Sequence, residues 1–328
     1  MEKLFLRFIK IPAVFFFMFC LICPAVTMAQ AEEEPEPEPE VFRENFRIQK
    51  LDTRSLSLGD ATVADVFGRG GIGVNPALFG LFENKTALQF SASQSWNSSQ
   101  YQGYFTLPTL SSGGHNFTGR IGTVNYGLES FNPTVGPILP EPNVEIYHAD
   151  IAYSYAINGV FSAGVLQSVS LIGNDAAQFI TYSADLGIVY VPDGVVTYGM
   201  VFRGLGHEVS YQFSEVGETL LDMNLMQQSL ELGATLHYPV QNRHFLSVSF
   251  ANEKRFGEEG IWYKAGLEIL PTPAVSLRSG LIFHLDQSVF IPRFGLGLNT
   301  GLLNLHYAVS PRNLQGEYFH QLGLTIQF

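Results

Sequence analysis

The sequence predicts an all-β fold: a transmembrane antiparallel β-barrel of about fourteen strands with an N-terminal plug or hatch segment. Three observations predict it. The chain of 328 residues is 46% hydrophobic and 13% aromatic but only 15% charged, against about 25% charged in ordinary soluble domains. From Thr86 onward, segments of about ten residues alternate apolar and polar side chains, the length that crosses a bilayer as a tilted strand. Short and long connections between these segments take turns, which is the asymmetry of an outer-membrane barrel. The composition excludes disorder and a helical multi-span protein. With 18 basic and 30 acidic residues, net charge −12, it also excludes a nucleic-acid partner, because phosphate contacts need a basic surface.

Residues 1–31 read as a secretory signal peptide. Lys3, Arg7 and Lys10 form its basic start, an apolar stretch follows, and Ala29 or Ala31 offers the small residue for cleavage. Pro12 and Pro24 argue against a retained helix. Both cysteines, Cys20 and Cys23, fall in this segment, so the processed chain would carry no disulfide, thiolate metal site or Cys nucleophile. Residues 32–46 are an acidic Pro/Glu-rich tether, with EEEPEPEPE at its start; like charges and prolines hold such a stretch extended and solvated.

Residues 47–85 form the hatch or plug segment. A short helix is expected from about Gly59 to Phe67, with Asp60 near its N-terminus, then a Gly-dense turn and Asn75-Pro76-Ala77. Its candidate site residues are Gly59, Asp60, Asp65, Asn75, Pro76 and Ala77. Residues 68–73 match GxGxxG, but no strand precedes them and Asn75-Pro76 interrupts any following helix. A nucleotide phosphate would therefore have no helix N-terminus to sit on.

The barrel occupies residues 86–328. Its fourteen strands are expected at 86–96, 101–107, 117–128, 145–157, 159–171, 179–191, 194–204, 228–239, 244–254, 261–270, 274–285, 288–299, 301–310 and 318–328. Asn158-Gly159, Pro192-Asp193-Gly194 and Thr300-Gly301 supply tight turns on one side, since Asn-Gly and Asp-Gly accept the positive φ that hairpins require. Residues 129–143, 205–227 and 252–260 are long connections on the other. Asp286-Gln287 and 108–116 depart from the rule.

Alternation assigns faces. In residues 149–157 the odd positions are Ala, Ile, Tyr, Tyr and Ile, while Asp150 and Ser154 fall on the even side. Across the strand cores the apolar parity carries no Asp, Glu, Lys or Arg, as selection against charge in lipid requires. Gln167 and Pro292 break the pattern, and Pro292 lacks a ladder donor, which suggests a bulge or kink. The polar parity holds Asp150, Asp185, Glu231 and Glu268 against Arg203, Lys264, Arg278 and Arg293, four of each sign, which points to a cross-braced lumen. Phe328 ends the last strand as a C-terminal signal for the barrel-assembly machinery.

The stretch Leu58-Gly59-Asp60-Ala61-Thr62-Val63-Ala64-Asp65, followed by Val74-Asn75-Pro76-Ala77-Leu78, resembles the N-terminal signature of the PorV/PorQ family, which is distantly similar to the long-chain fatty-acid channel FadL. Arg203-Gly204-Leu205-Gly206, Gly266-Leu267-Glu268-Ile269-Leu270 and Leu277-Arg278-Ser279-Gly280 match as well. Val74, where that family commonly has an aromatic residue, and the glycines at 68–73 depart from its pattern. The resemblance implies a fourteen-stranded outer-membrane barrel with an N-terminal hatch, in some members serving type IX secretion.

Eight histidines show no metal spacing, although His237, His284 and His306 share the lumen parity. No GxSxG elbow is present. No enzyme activity, cofactor or metal is expected. Two readings follow. One is a non-enzymatic, secretion-associated component of PorV/PorQ type that binds secretion-system subunits or secreted cargo. The alternative is a FadL-like channel for hydrophobic molecules such as fatty acids, with a pocket beside the hatch lined by Val63, Val66, Phe67 and Phe79 and a lateral opening near Pro292. Either would have outer-membrane lipid as its surroundings.

Overall fold

The computed structural model describes residues 52–66, 71–81, 87–95, 101–126, 144–173, 178–211, 228–240, 244–311 and 318–327. The signal and tether, the cleavage positions Ala29 and Ala31, Phe67 and the C-terminal Phe328 lie outside the described residues.

Fifteen strands follow a short helix, α1 (Thr53–Ser57). They are β1 (Ala87–Ser95), β2 (Tyr101–Thr106), β3 (Leu110–Ser112), β4 (His115–Tyr126) and β5 (Val144–Ile157). Next come β6 (Phe161–Gly173), β7 (Gln178–Tyr190), β8 (Val196–Tyr211), β9 (Ser229–Val240) and β10 (His244–Arg255). The last are β11 (Trp262–Thr272), β12 (Val275–His284), β13 (Val289–Asn299), β14 (Leu303–Pro311) and β15 (Tyr318–Gln327). Neighbours in sequence pair antiparallel except β2 and β3, and β1 pairs with both β2 and β15, while β2 pairs with β4. Fourteen strands therefore close a cylinder. β3 is an extra piece that pairs with β4 alone, with Leu110 opposite Phe117. It accounts for the irregular 108–116 connection.

Closure follows from the bilayer. Hydrocarbon offers no partner for a backbone N–H or C=O, so a sheet can cross it only without an edge. Alternation does the rest. On β5, Ile151 is 65% exposed while its neighbour Asp150 is 3% exposed, and the same parity runs along β7, β12 and β14. The outward set is apolar, and the pattern-breaking Gln167 is among the exposed residues. Aromatic side chains collect near both ends of the wall: Phe117, Tyr155, Tyr190 and Tyr238 at one, Tyr147, Tyr182, Phe290 and Tyr318 at the other. These are the girdles of a membrane interface.

The turns behave as their residues dictate. Asn158 and Gly159 have φ of 53° and 65°, the pair of positive values that a type I′ hairpin turn needs. At the next turn Asp193 Oδ1 accepts the Val195 and Val196 amides, each at 3.0 Å.

Two expectations are corrected. β8 does not end at Gly204 but runs to Tyr211. A bulge carries it on: Ala184 pairs with Leu205 and Leu186 with Phe202, leaving Asp185 opposite both Arg203 and Gly204. Gly204 has φ 75°, and its amide donates to Asp185 Oδ1 at 3.0 Å. The bulge expected at Pro292 is absent from the β12–β13 ladder, where Leu281 and Pro292 pair in unbroken register. Pro292 directs its missing donor to the other neighbour, β14.

Because the outward face meets hydrocarbon, Ile151→Arg should lower the stability of the protein folded in lipid vesicles by about 2–4 kcal/mol. Denaturant unfolding in vesicles measures it.

Candidate functional site

Residues 52–66 and 71–81 lie inside the cylinder. They are nearly all buried, and they press on inward-facing positions of strands spread around the wall.

Local chemistry shapes this inner segment. Asp52 is the N-cap of α1: its Oδ2 accepts the Ser55 amide at 2.9 Å and its Oδ1 accepts from Gln89 Nε2 of β1 at 3.1 Å. α1 ends at Leu58, where Gly59 and Asp60 both have positive φ, 65° and 56°. Gly59 N–H donates to Leu56 O and Asp60 N–H to Ser55 O, which is the Schellman closure of a helix end. The expected helix over 59–67 is thus displaced: Gly59 and Asp60 stop a helix rather than start one. Asp52, three residues before Ser55, was the overlooked capping signal.

Glycines on eight wall strands make room for the segment. A Cβ added at Gly164 (β6) would lie 2.5 Å from the Pro76 carbonyl, and one at Gly266 (β11) 2.6 Å from Leu58 O. At Gly199 (β8) and Gly280 (β12) it would collide with the backbone of Val63 and Gly59. Such contacts are shorter than any real Cβ makes, and backbone cannot yield as a side-chain tip can. The segment's own Gly59 comes as close, since a Cβ there would lie 2.6 Å from Leu281 N, and the wall glycines answer it from the other side. Their signal was present as a lone Gly at mid-strand, which marks close backbone approach.

Asn75-Pro76-Ala77 sits in this groove. Asn75 Oδ1 accepts the Ala77 amide at 3.0 Å. Its Nδ2 donates to Val63 O at 2.9 Å and to the wall carbonyls of Ile188 and Met200 at 3.2 and 3.3 Å. One side chain therefore ties the two halves of the segment to each other and to β7 and β8.

Charged groups pin what the glycines admit. Arg54 reaches both Asp65 and Glu268, and Glu268 also accepts from Arg278 Nε at 2.6 Å. Arg293 Nη1 meets Asp60 Oδ2 at 2.6 Å. Arg203 donates to the Val74 carbonyl and, at 2.6 Å, to Glu231. Glu231 is shared with Lys264, which also holds Glu253 at 2.7 Å. Arg120 pairs with Asp150 through Nε at 2.6 Å. Of the eight charged residues read onto the lumen face, Asp185 alone is only half-buried. Arg54, Arg120 and Glu253 join them; alternation could have found Arg120 and Glu253, whereas Arg54 needed the segment's fold.

Burial works against the Arg54 cation, yet Asp65 and Glu268 outweigh it and hold its pKa above the ordinary guanidinium value. For Asp52 burial wins, pushing the carboxyl up despite Arg54 and the cap hydrogen bonds. The ionised form of Asp52 is thus disfavoured in the fold, so the folding stability linked to this carboxyl is greatest in acid and declines as pH rises through the raised value.

Three apolar clusters complete the fit. Val63 and Ala64 pack on Val201 and Ala251. Ile72 and Phe79 pack on Ala152 and Leu166. Val74, Ala77 and Leu78 pack on Val189, with Val66 beside them. Val63 and Phe79 therefore fill contacts with the wall instead of lining an open pocket, because apolar inward positions oppose them. His237, His284 and His306 do not converge: they contact Ser247, the Glu259 carbonyl and Arg278 respectively. Among the described residues no group of three potential metal ligands is present.

No protein-family model matches the chain, and no curated protein does. Solved structures do. The Ralstonia pickettii toluene transporter TbuX aligns with TM-score 0.59 at 12% identity, covering 86% of this chain and 100% of its own. The Pseudomonas putida toluene transporter TodX aligns at 0.56 and 11%, covering 84% and 96%. The monoaromatic hydrocarbon channel CymD aligns at 0.57 and 9%, covering 85% and 97%. At such identities the likeness is one of fold. These neighbours are transporters and channels, and none of the three is a secretion component. A closed barrel with an apolar wall, in the fold of these proteins, is a protein of the bacterial outer membrane.

Two variants separate the forces that seat the segment. Gly280→Val should keep the barrel folded, read as heat-modifiable electrophoretic migration, while exposing residues 52–81 to protease. Glu268→Gln strands the buried Arg278 guanidinium and leaves Arg54 with Asp65 alone, and should cost about 3–5 kcal/mol, read as a lower midpoint of unfolding in detergent.

Proposed function

We propose that the chain is a passive channel for small hydrophobic molecules, with the inner segment as its plug and the tight-turn end of the barrel facing the periplasm. One observation carries this reading: the cylinder shares its fold with hydrocarbon channels, and its bore is occupied by a segment fitted to the wall on all sides. A filled bore gives polar solutes no continuous column of water. An apolar solute needs no such column, since it can exchange for apolar packing along its way, and the three clusters at Val63, Phe79 and Val74 offer that packing. The buried ion pairs keep the plug seated while solute moves beside it.

Of the two readings that the sequence supports, this places the channel for hydrophobic solutes ahead of the secretion-associated component. The test is uptake of labelled toluene and of a long-chain fatty acid by cells that lack other hydrophobic channels and express this chain. Uptake of at least one should rise several-fold over cells with an empty vector. Uptake no faster than that control, together with copurification of secreted proteins, would overturn the channel and restore the secretion reading.

A further inference from the structure

One outward residue of the wall does not suit lipid. Gln167 is the seventh of the 13 residues of β6, so about 20 Å of strand separates it from either end. Its side chain is exposed on the outward face. A strand tilted by about 40° then holds this carboxamide near the middle of the hydrocarbon. Lysine or arginine can lead a charge along a long stem to the membrane surface; glutamine is too short to do so from this depth.

The amide is also without company. Among the described residues no hydrogen bond joins the Gln167 side chain to another group. The backbone on both sides is taken up by the ladders, which pair Gln167 with Ile151 of β5 and with Ala184 of β7. A carboxamide carries two N–H donors and an oxygen with two lone pairs, and leaving these unmet in hydrocarbon is costly. Lipid chains supply neither donor nor acceptor, and the bilayer core holds no water to replace them. Ser279 of β12 also faces outward at mid-strand, but one hydroxyl can turn back onto a backbone carbonyl nearby.

The amide can be reached from outside. Its neighbour across the β7 ladder is Ala184, whose methyl group does not stand in front of it. On the β5 side Ala149 lies opposite Val169, and Val169 is 43% exposed. A second wall can therefore come close at this level.

Whatever meets the amide must bring a donor and an acceptor together to the middle of the membrane, and must do so without charge, which lipid excludes. A second copy of the chain satisfies both terms by construction. Two copies inserted in the same direction span the bilayer at the same depth, and a two-fold axis along the membrane normal sets like residue against like. Two carboxamides so placed each give one N–H and accept one, a pair of bonds complete in itself. The strand tilt makes the contact local. On the facing walls of two such barrels the strands slant in opposite senses, cross, and touch where they cross. A polar residue at mid-strand is matched to that single crossing point.

We propose that the outer face of β6 is a dimer contact within the membrane, in which Gln167 of one protomer pairs with the same residue of a second copy across a two-fold axis. The contact depends on the barrel's place in the bilayer and not on what passes through the bore. Polar pairs in membranes bind weakly one at a time, so the dimer belongs to the crowded membrane and comes apart on dilution into detergent.

Val169→Cys places a thiol beside the axis while Gln167 stays. In outer membranes carrying this variant, a short membrane-permeant bismaleimide should join two chains into a product of twice the mass. Its yield should be several-fold that of Phe250→Cys, which is outward on β10 and 60% exposed. The natural chain, treated alike, gives the background from Cys20 and Cys23. Adding Gln167→Leu to Val169→Cys should return the yield to the Phe250→Cys level, with heat-modifiable migration showing the barrel still folded. Equal yields at Val169→Cys and Phe250→Cys, or a product that Gln167→Leu leaves unchanged, overturn the contact. A product that joins the chain to a different protein overturns the second copy as the occupant. Energy transfer between labelled chains in lipid vesicles needs no reagent at this face. It should be several-fold greater for the natural chain than for Gln167→Leu at equal density, and equal transfer overturns the contact.

Discussion

The constraint beneath this molecule is that a backbone in hydrocarbon has nowhere to send a hydrogen bond except to another strand. From that follow a closed sheet, alternation along its strands, and, among the described residues, strand cores whose outer face carries no ionised group. Alternation in turn delivers every second side chain to the interior, where the chain places its charges. Those charges are then out of bulk water, and a buried charge is tolerable only when paired. The ion pairs inside the barrel are thus a result of how the wall is made, and the inner segment uses them.

The segment is held by two kinds of fit that act at different ranges. Wall glycines let its backbone approach more closely than any side chain would permit, which fixes depth and orientation. The ion pairs of Arg54, Asp60 and Asp65 then select that seating over others, because a shifted segment would leave Glu268 or Arg293 without part of its company. Asn75 adds a neutral anchor by donating to two wall carbonyls and one of its own segment. Burying ion pairs is seldom a net gain in stability; what they supply here is a single position.

The wall was legible because its signals are local and repeated. Period-two alternation located the strands to within a few residues at most ends, and Asn158-Gly159 announced its own turn. The extension of β8 to Tyr211 was not legible, since Gly204 reads as a terminator until Asp185 is seen to cap the bulge it makes. The segment's helix was misplaced for a related reason: Gly59-Asp60 closes a helix by a left-handed turn, and the cap that opens it lies seven residues earlier at Asp52. The pairing of Arg54 with Glu268 and of Arg293 with Asp60 was beyond sequence reading, because each joins residues more than two hundred positions apart. Pro292 was recognised as a missing donor, but that its ladder with β12 stays unbroken became visible only with the register.

The seating of residues 52–66 and 71–81 also bears on how the molecule is made. They are the first described part of the chain, yet they touch β12, β13 and β15, the last strands to be synthesised, and the cylinder is sealed where β1 meets β15. A finished barrel offers no way to thread such a closely fitted piece past its narrow glycine surfaces. Biogenesis must therefore gather the sheet about its own leading end, and the final zippering of first strand to last would wait until that cargo is aboard.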